Sequence, residues 1–498
     1  MNLNELNIAQ ASIGLKNKEF SSVELTEACF GRIKKTDDKI KSFITITEDL
    51  AIKQAKEADK KIKVREENNT LLGIPCSIKD IINTKGVLTT AASNILKNYI
   101  PAYNATLILK LHKQGMVMLG KVNCDAFAHG ASTENSDYFV THNPWDLERV
   151  PGGSSGGSAS SVVVNQCLYS IGTDAGGSIR QPAAFCGAVG LKPTYGRISR
   201  YGLISMTSST DCPGIITKNV VDSAIVLKEI AGKDNLDSTS SSHKIEDYSK
   251  LLNNENIKGV SIGIPKEYFI KELDDDVKEL IETAIQKLKD LGAKIVEISL
   301  PHTKYAVPTY YIITPSEISS NLARFDGIKY GYSEINNQQS AINDLLDVYL
   351  ESRGNGFGGE AKRRIMLGTY ALSSGYYDAY YLKAQKVRAS IKKDFDEVFE
   401  KVDIIIAPTT PNVAFKIGEH SANPLEMYME DIFLSAVSLA GLPAISIPCG
   451  FVKPKGGKTE MPVGMQIIGK AFDESGILKV ANVYEKNTEW NKRQIPSV

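Results

Sequence analysis

Long hydrophobic runs are missing from this sequence. None of its apolar stretches approaches the roughly 20 residues of a membrane-spanning helix, so no spanning segment is expected. A net charge is missing too: 58 basic side chains balance 58 acidic ones. The bulk basic surplus usual in a protein that grips nucleic acid by itself is therefore absent. The seven cysteines (Cys29, Cys76, Cys124, Cys167, Cys186, Cys212 and Cys449) stand singly, with no C-x-x-C pair. Their odd count and wide spacing argue against a disulfide framework or a zinc site and fit a reducing cytoplasm. The first twenty residues, MNLNELNIAQASIGLKNKEF, lack the basic start and apolar core of a secretory signal. They also lack the arginine-rich character of a transit peptide, and a cytoplasmic protein is the expectation. Neither G-x-x-x-x-G-K-[ST] nor a G-x-G-x-x-G after a strand occurs, which leaves phosphate cradling without its usual signatures.

What is present reads as a globular α/β chain. Its 498 residues suffice for one large domain or two to three ordinary ones, and 42% apolar with 23% charged side chains is a usual balance. Residues 5–60 read as mostly helical, with Ser21 or Ser22 as a cap and Glu24 in the first turn. Residues 72–82, LGIPCSIKDII, read as a buried strand that contains Lys79. Residues 104–115 read as a helix and residues 117–120 as a strand. Residues 140–215 are rich in Gly, Ser and Pro but are cut by apolar stretches such as 161–164 and 168–171. They read as ordered loops between buried elements. Residues 232–257, polar and rich in Ser and Asn, are the candidate surface excursion. From 259 to 300 the pattern is strand, helix, strand, with Val277, Ile281, Ala284, Leu288 and Leu291 at helical spacing and Gly292 as the stop. Residues 403–408, 444–448 and 463–468 are further strands. Strands alternating with helices indicate a mixed sheet covered by helices.

Three stretches carry chemistry. The first is Lys79 itself. A lone lysine is ordinarily a solvated charge, but Ile74, Ile78, Ile81 and Ile82 surround this one. Burial disfavours the ammonium, and a neutral lysine is a competent general base. The local context leaves both readings open. The second is Gly152-Gly153-Ser154-Ser155-Gly156-Gly157-Ser158, which in isolation could pass for a flexible linker. The third is Asp174-Ala175-Gly176-Gly177-Ser178-Ile179-Arg180, between a strand and a helix expected near Ser178. Backbone N–H groups at such a turn have no intrahelical partner, and bare glycines let a carbonyl approach them, which makes an oxyanion hole beside a serine hydroxyl. Six histidines occur and none sits in a triad motif; His129 and His142 lie nearest the glycine-rich part and are the fallback bases. A serine–lysine pair is the alternative.

Together these stretches closely resemble the amidase signature family, whose catalytic unit is Ser–cisSer–Lys. The resemblance covers nearly the whole chain, residues 1–498 as one domain, and implies a single α/β/α domain with a large mixed central sheet. It implies Ser178 as nucleophile, Ser154 as a bridging serine after a cis peptide bond, and Lys79 as base. The oxyanion hole becomes the N–H groups of Ala175, Gly176, Gly177 and Ser178. Arg149-Val150-Pro151, residues 324–327, 362–368, 371–378 and 428–431, and Leu439-Ala440-Gly441-Leu442-Pro443 are similar to the glutaminase branch of that family. That branch implies recognition of free glutamine by Tyr311, Arg364 and Asp431, with Tyr310 as the neighbouring alternative to Tyr311. An arginine can pair bidentately with the α-carboxylate and an aspartate suits the α-ammonium; without the resemblance, Arg364 reads as a surface arginine in a basic run. The branch further implies partner subunits B and C. ATP, magnesium and the misacylated Glu-tRNA(Gln) would be bound mainly by the first of these two partners, with no cofactor in this chain.

Two positions depart from the branch: Ala175 stands where threonine is common, and Cys212 follows Asp211 where glutamine is common. Neither alters a proposed catalytic side chain. Two other readings remain: a stand-alone amidase for another small or aryl amide, and a non-catalytic scaffold that kept the fold. The intact Lys79, Ser154 and Ser178 argue against the second.

Overall fold

A computed structural model of the chain describes residues 2–64, 69–336, 342–420 and 423–490. Eleven strands form one mixed sheet: β1 (Phe43–Ile46), β2 (Pro75–Lys79), β3 (Val117–Val122), β4 (Tyr169–Thr173), β5 (Val189–Lys192), β6 (Pro213–Thr217), β7 (Ser261–Pro265), β8 (Lys294–Ile298), β9 (Ile404–Pro408), β10 (Ala444–Val452) and β11 (Met461–Gly469). Their order across the sheet is β1-β3-β2-β4-β6-β5-β10-β11-β9-β7-β8. The flanks contain parallel pairs, β3-β2-β4 on one side and β9-β7-β8 on the other. Between them, β4, β6, β5, β10, β11 and β9 run antiparallel to their neighbours.

The expected helix signals act as read. Ser21 Oγ accepts from the Glu24 N–H at 3.1 Å, and Glu24 accepts in return from the Ser21 N–H at 2.7 Å, closing a capping box on the helix Ser22–Ile40. Asp274 caps Asp275–Asp290, and Gly292, at φ 99°, turns the chain into β8. Residues 5–60 are mostly helical as expected, with the short strand β1 between two of the helices, paired antiparallel with β3. β5 and β6 are not anticipated by the sequence reading. Each is short, and each is bounded by the turns that make residues 140–215 look like loop. Residues 232–257 are largely loop, but Tyr248 is buried and its hydroxyl accepts from Arg197 at 2.6 Å, so the segment is pinned to the body. Among the described residues no helix is long and apolar enough to cross a membrane.

Two helices, Ala306–Asn321 and Gly359–Leu372, pack against each other and carry polar residues into the interior. At their closest approach Gly368 faces the Pro315 carbonyl, where any Cβ would overlap it. One turn back along each helix, the Arg364 guanidinium lies 5.3 Å from the centre of the Tyr311 ring. The missing side chain at 368 thus sets the spacing of the two polar residues.

Candidate active site

Lys79 is the last residue of β2 and is fully buried. Its Nζ donates to three hydroxyl oxygens: Ser154 Oγ at 2.7 Å, Ser155 Oγ at 2.9 Å and Thr173 Oγ1 at 3.1 Å. No carboxylate pairs with it among the described residues. Burial pulls its pKa down to about 8, against the opposing pull of Cys124, Asp125, Asp211 and Asp174. Asp174 is not available to pair with it, because it is held by Arg180. Nε and one terminal nitrogen of Arg180 each reach an Asp174 oxygen at 2.9 Å. Burial alone would push the Asp174 carboxyl up, but Arg180 overrides this and leaves it below the usual range. Arg180 is completed by Ser438 Oγ at 2.9 Å and Gln466 Oε1 at 2.5 Å.

Ser154 is buried and the Gly153–Ser154 peptide bond is cis. The Ser155 N–H donates to the Ser178 carbonyl at 3.2 Å, which ties the two serine-bearing loops one residue away from Ser154. Ser178 is 8% exposed, the one member of the trio open to solvent. Its hydroxyl makes no hydrogen bond among the described residues, so the link from Ser178 to Ser154 is not closed here. The N–H groups of Ala175, Gly176, Gly177 and Ser178 likewise have no partner among the described residues. Those of Ile179 and Arg180, by contrast, point at Asp174 Oδ2, at 3.2 and 3.4 Å. Four adjacent free donors beside a free hydroxyl are the geometry an oxyanion would use.

Tyr311, Arg364 and Asp431 come together although they are far apart in sequence. The Tyr311 hydroxyl donates to Asp431 Oδ2 at 2.9 Å. The Arg364 guanidinium lies over the rings of Tyr311 and Tyr428, which stack at 3.7 Å. At 3% exposure Arg364 is not a surface residue, and Glu360, one turn earlier, accepts from its Nε at 2.7 Å. Burial raises the Asp431 carboxyl to about 7, with Tyr311 and Arg364 pulling the other way. Tyr310 takes a different place: a Cβ on Gly176 would come within 2.6 Å of its hydroxyl. It therefore backs the glycine loop, while Tyr311 contacts the acid.

Neither fallback histidine hydrogen-bonds Lys79, Ser154 or Ser178. His129 is buried with neither ring nitrogen hydrogen-bonded, and burial together with Arg364 holds its pKa well below the usual value. His142 Nδ1 contacts the Leu147 carbonyl. Cys212 Sγ faces the Pro193 carbonyl at 3.3 Å, and Ala175 is a buried core residue. Sequence reasoning gave no role to Ser155 and Thr173, which hold Lys79, or to Glu360 and Tyr428, which hold Arg364. The Glu360–Arg364 spacing of four was a usable signal; Thr173 offered none.

The family model described as Amidase matches residues 24–478. The A subunit of a glutamyl-tRNA(Gln) amidotransferase of Carboxydothermus hydrogenoformans is 53% identical over 492 residues, covering 99% of each chain. The crystal structure of the corresponding A subunit of glutamyl-tRNA(Gln) amidotransferase from Thermotoga maritima superposes with a TM-score of 0.79 at 39% identity, over 98% of this chain and 96% of that one. A native peptide amidase from Stenotrophomonas maltophilia superposes at 0.78 with 28% identity, over 97% of each chain. With its mixed sheet, its paired glycine–serine loops and a match spanning most of its length, this chain belongs to the amidase signature family.

Proposed function

We propose that this chain is the glutamine-hydrolysing subunit of a tRNA-dependent amidotransferase, releasing ammonia for the conversion of Glu-tRNA(Gln) to Gln-tRNA(Gln). The observation that carries the chemistry is the buried Lys79 amine 2.7 Å from Ser154 Oγ, beside Ser178 and its row of free N–H groups. In its neutral form the amine accepts the Ser154 proton while Ser154 accepts that of Ser178. The Ser178 Oγ then bonds to the glutamine side-chain carbonyl carbon, and the developing oxyanion meets the N–H groups of residues 175–178. The proton held at Lys79 passes to the departing nitrogen, so ammonia leaves and an acyl-enzyme remains. Water, deprotonated by the same path, releases glutamate and restores the serine.

Glutamine as the substrate is supported by the Tyr311–Arg364–Asp431 cluster, which offers one cation and one anion to the two charges of a free amino acid. The names carried by the full-length relatives from Carboxydothermus and Thermotoga support the coupling to tRNA. Amidotransferase subunits B and C would be its partners, with ATP, magnesium and tRNA held mainly by the first of them. The test is purification with associated subunits, followed by glutamate release from glutamine with and without ATP and Glu-tRNA(Gln). Stimulation by both supports the reading. Full turnover of other amides by the chain alone would replace it with a stand-alone amidase.

A further inference from the structure

The helix Gly156–Val163 starts at Ser155, and a serine in that position normally caps the helix with its own hydroxyl. Here it does not. The Ser155 Oγ accepts from Lys79 at 2.9 Å, donates to the Thr173 carbonyl at 3.1 Å, and accepts from the Thr173 N–H at 3.4 Å. The first turn still needs acceptors for its N–H groups. Two come from elsewhere in the chain: the Gly157 N–H, which a capping serine could have taken, donates to the Asn123 carbonyl at 3.2 Å, and the Gly156 N–H donates to Thr133 Oγ1 at 3.1 Å. The same hydroxyl donates to the Gly152 carbonyl at 2.8 Å. Thr133 Oγ1 therefore spans the segment Gly153-Ser154-Ser155, bonded to the residue on either side of it.

The backbone at Thr133 marks the position as unusual. Its φ is 64°, in the left-handed region, where a β-branched side chain is disfavoured and glycine or asparagine would sit without penalty. The conformation is held by Asp125, whose Oδ2 accepts from the Thr133 N–H at 3.0 Å and whose Oδ1 accepts from the Asn135 N–H at 3.1 Å. Bare glycines receive this loop: a Cβ on Gly156 would come within 2.3 Å of Thr133 Oγ1, and one on Gly153 within 2.3 Å of Asp125 Oδ2. Fold alone gives no reason to place threonine in that backbone region. A hydroxyl that can donate to one flank and accept from the other does give one.

We propose that Thr133 is a positioning residue: by bonding the residues on either side of Gly153-Ser154-Ser155, its hydroxyl fixes the stretch of chain that presents Ser154 and Ser155 to Lys79. This rests on the reading of Lys79, Ser154 and Ser178 as the proton path. Thr133 touches neither substrate nor the reacting atoms, so its effect belongs in kcat and not in glutamine binding, which is contributed by other elements.

The experiment uses the chain purified with its partner subunits and measures glutamate release. Thr133→Val keeps the shape and the β-branching and removes the hydroxyl. It should lower kcat at least tenfold with KM for glutamine within about twofold of wild type, and Thr133→Ser should restore kcat to within about threefold. If the valine variant does not fold, as judged by its melting transition, Thr133→Gly replaces it with the same expectation. Ser155→Ala supplies the second arm. If Thr133 acts by holding this stretch against Lys79, then Thr133→Val should cost less in the Ser155→Ala background, where one of the contacts it positions is already gone, than alone. Equal kcat in Thr133→Val and wild type overturns the proposal, as does full additivity of the two changes. Ser178→Ala separates the two levels: persistent glutaminase activity there sinks the underlying reading, whereas an inactive Ser178→Ala beside a fully active Thr133→Val sinks only the role of Thr133.

Discussion

Lys79 Nζ and Ser154 Oγ lie 2.7 Å apart in a site where the lysine has three hydroxyl partners and, among the described residues, no paired carboxylate. That relationship explains how a lysine can serve as a base near neutrality. Its charge is satisfied by neutral groups but not neutralised, so burial dominates and lowers the pKa to about 8.

The pH dependence of turnover is a direct consequence. With a pKa of about 8, about a tenth of Lys79 is neutral at pH 7. Below pH 8 kcat for glutamine should therefore rise nearly tenfold per unit, then level off above it. Initial rates of glutamate release at saturating glutamine from pH 6 to 9.5 measure this. A flat profile across pH 6.5–9 would remove Lys79 as the base.

Ser178→Ala should cut glutamine hydrolysis by at least about a thousandfold, since residues that act as one catalytic unit fail together. It should leave ammonia-dependent formation of Gln-tRNA(Gln) by the complex intact. Parallel assays with glutamine and with ammonium chloride distinguish loss of chemistry from loss of assembly. Failure in both assays would point to misfolding or disassembly.

Much of this candidate site was legible through the family resemblance, because the motifs that carry that resemblance are local. Lys79 within a run of isoleucines, and two glycine–serine loops in order, are short-range patterns. The fold was legible where periodicity was long, as in Asp275–Asp290 with its strands on either side. It was not legible at β1, β5 and β6, strands of four or five residues whose pairing is decided by partners far along the chain. Long range also hid Thr173 and Thr133, which act through hydrogen bonds that no spacing rule anticipates. Arg364 shows the same limit in reverse. Its neighbours Lys362 and Arg363 make it look like part of a solvated basic run, but the close packing of its helix at Gly368 and its partners Glu360, Tyr311 and Tyr428 keep it buried.

Arg364→Lys should raise KM for glutamine about 10- to 100-fold with a smaller change in kcat. An ammonium keeps the charge but loses the planar fork and the stacking on Tyr311 and Tyr428. Steady-state kinetics on the complex would show the split. An unchanged KM would remove Arg364 from glutamine recognition.

Asp431→Asn should also raise KM, and it carries a second signature in stability. Burial raises the Asp431 carboxyl to about 7 in the fold, above its ordinary value of 3.8. The folded state thus favours the protonated form, and the stability this contributes is present below about pH 4 and lost as pH rises through 7. An asparagine mimics the protonated acid at every pH. The variant should therefore melt at a higher temperature than wild type at pH 8 and at about the same temperature at pH 4. Thermal melts of the two proteins at both values test it; an equal shift at the two pH values would show that the effect is packing and not charge.

Gly176→Ala tests whether the glycine loop must lie flat against Tyr310. The added Cβ would come within 2.6 Å of both the Tyr310 hydroxyl and the ring carbon that bears it. Tyr310 is buried on the helix Ala306–Asn321, so the ring cannot swing out into solvent. The loop must move instead, and with it the N–H groups of residues 175–178. Losing one well-placed oxyanion donor costs on the order of 100-fold in kcat, and a displaced loop should cost at least that. If the collision is the cause, trimming the ring should relieve it. Gly176→Ala combined with Tyr310→Ala should then recover kcat relative to Gly176→Ala alone, although each single change lowers activity. Kinetics on the two single variants and the double variant form a closed cycle. Recovery places the damage at the contact between the loop and Tyr310. A double variant no better than Gly176→Ala alone would show that the contact with Tyr310 is not the cause of the loss.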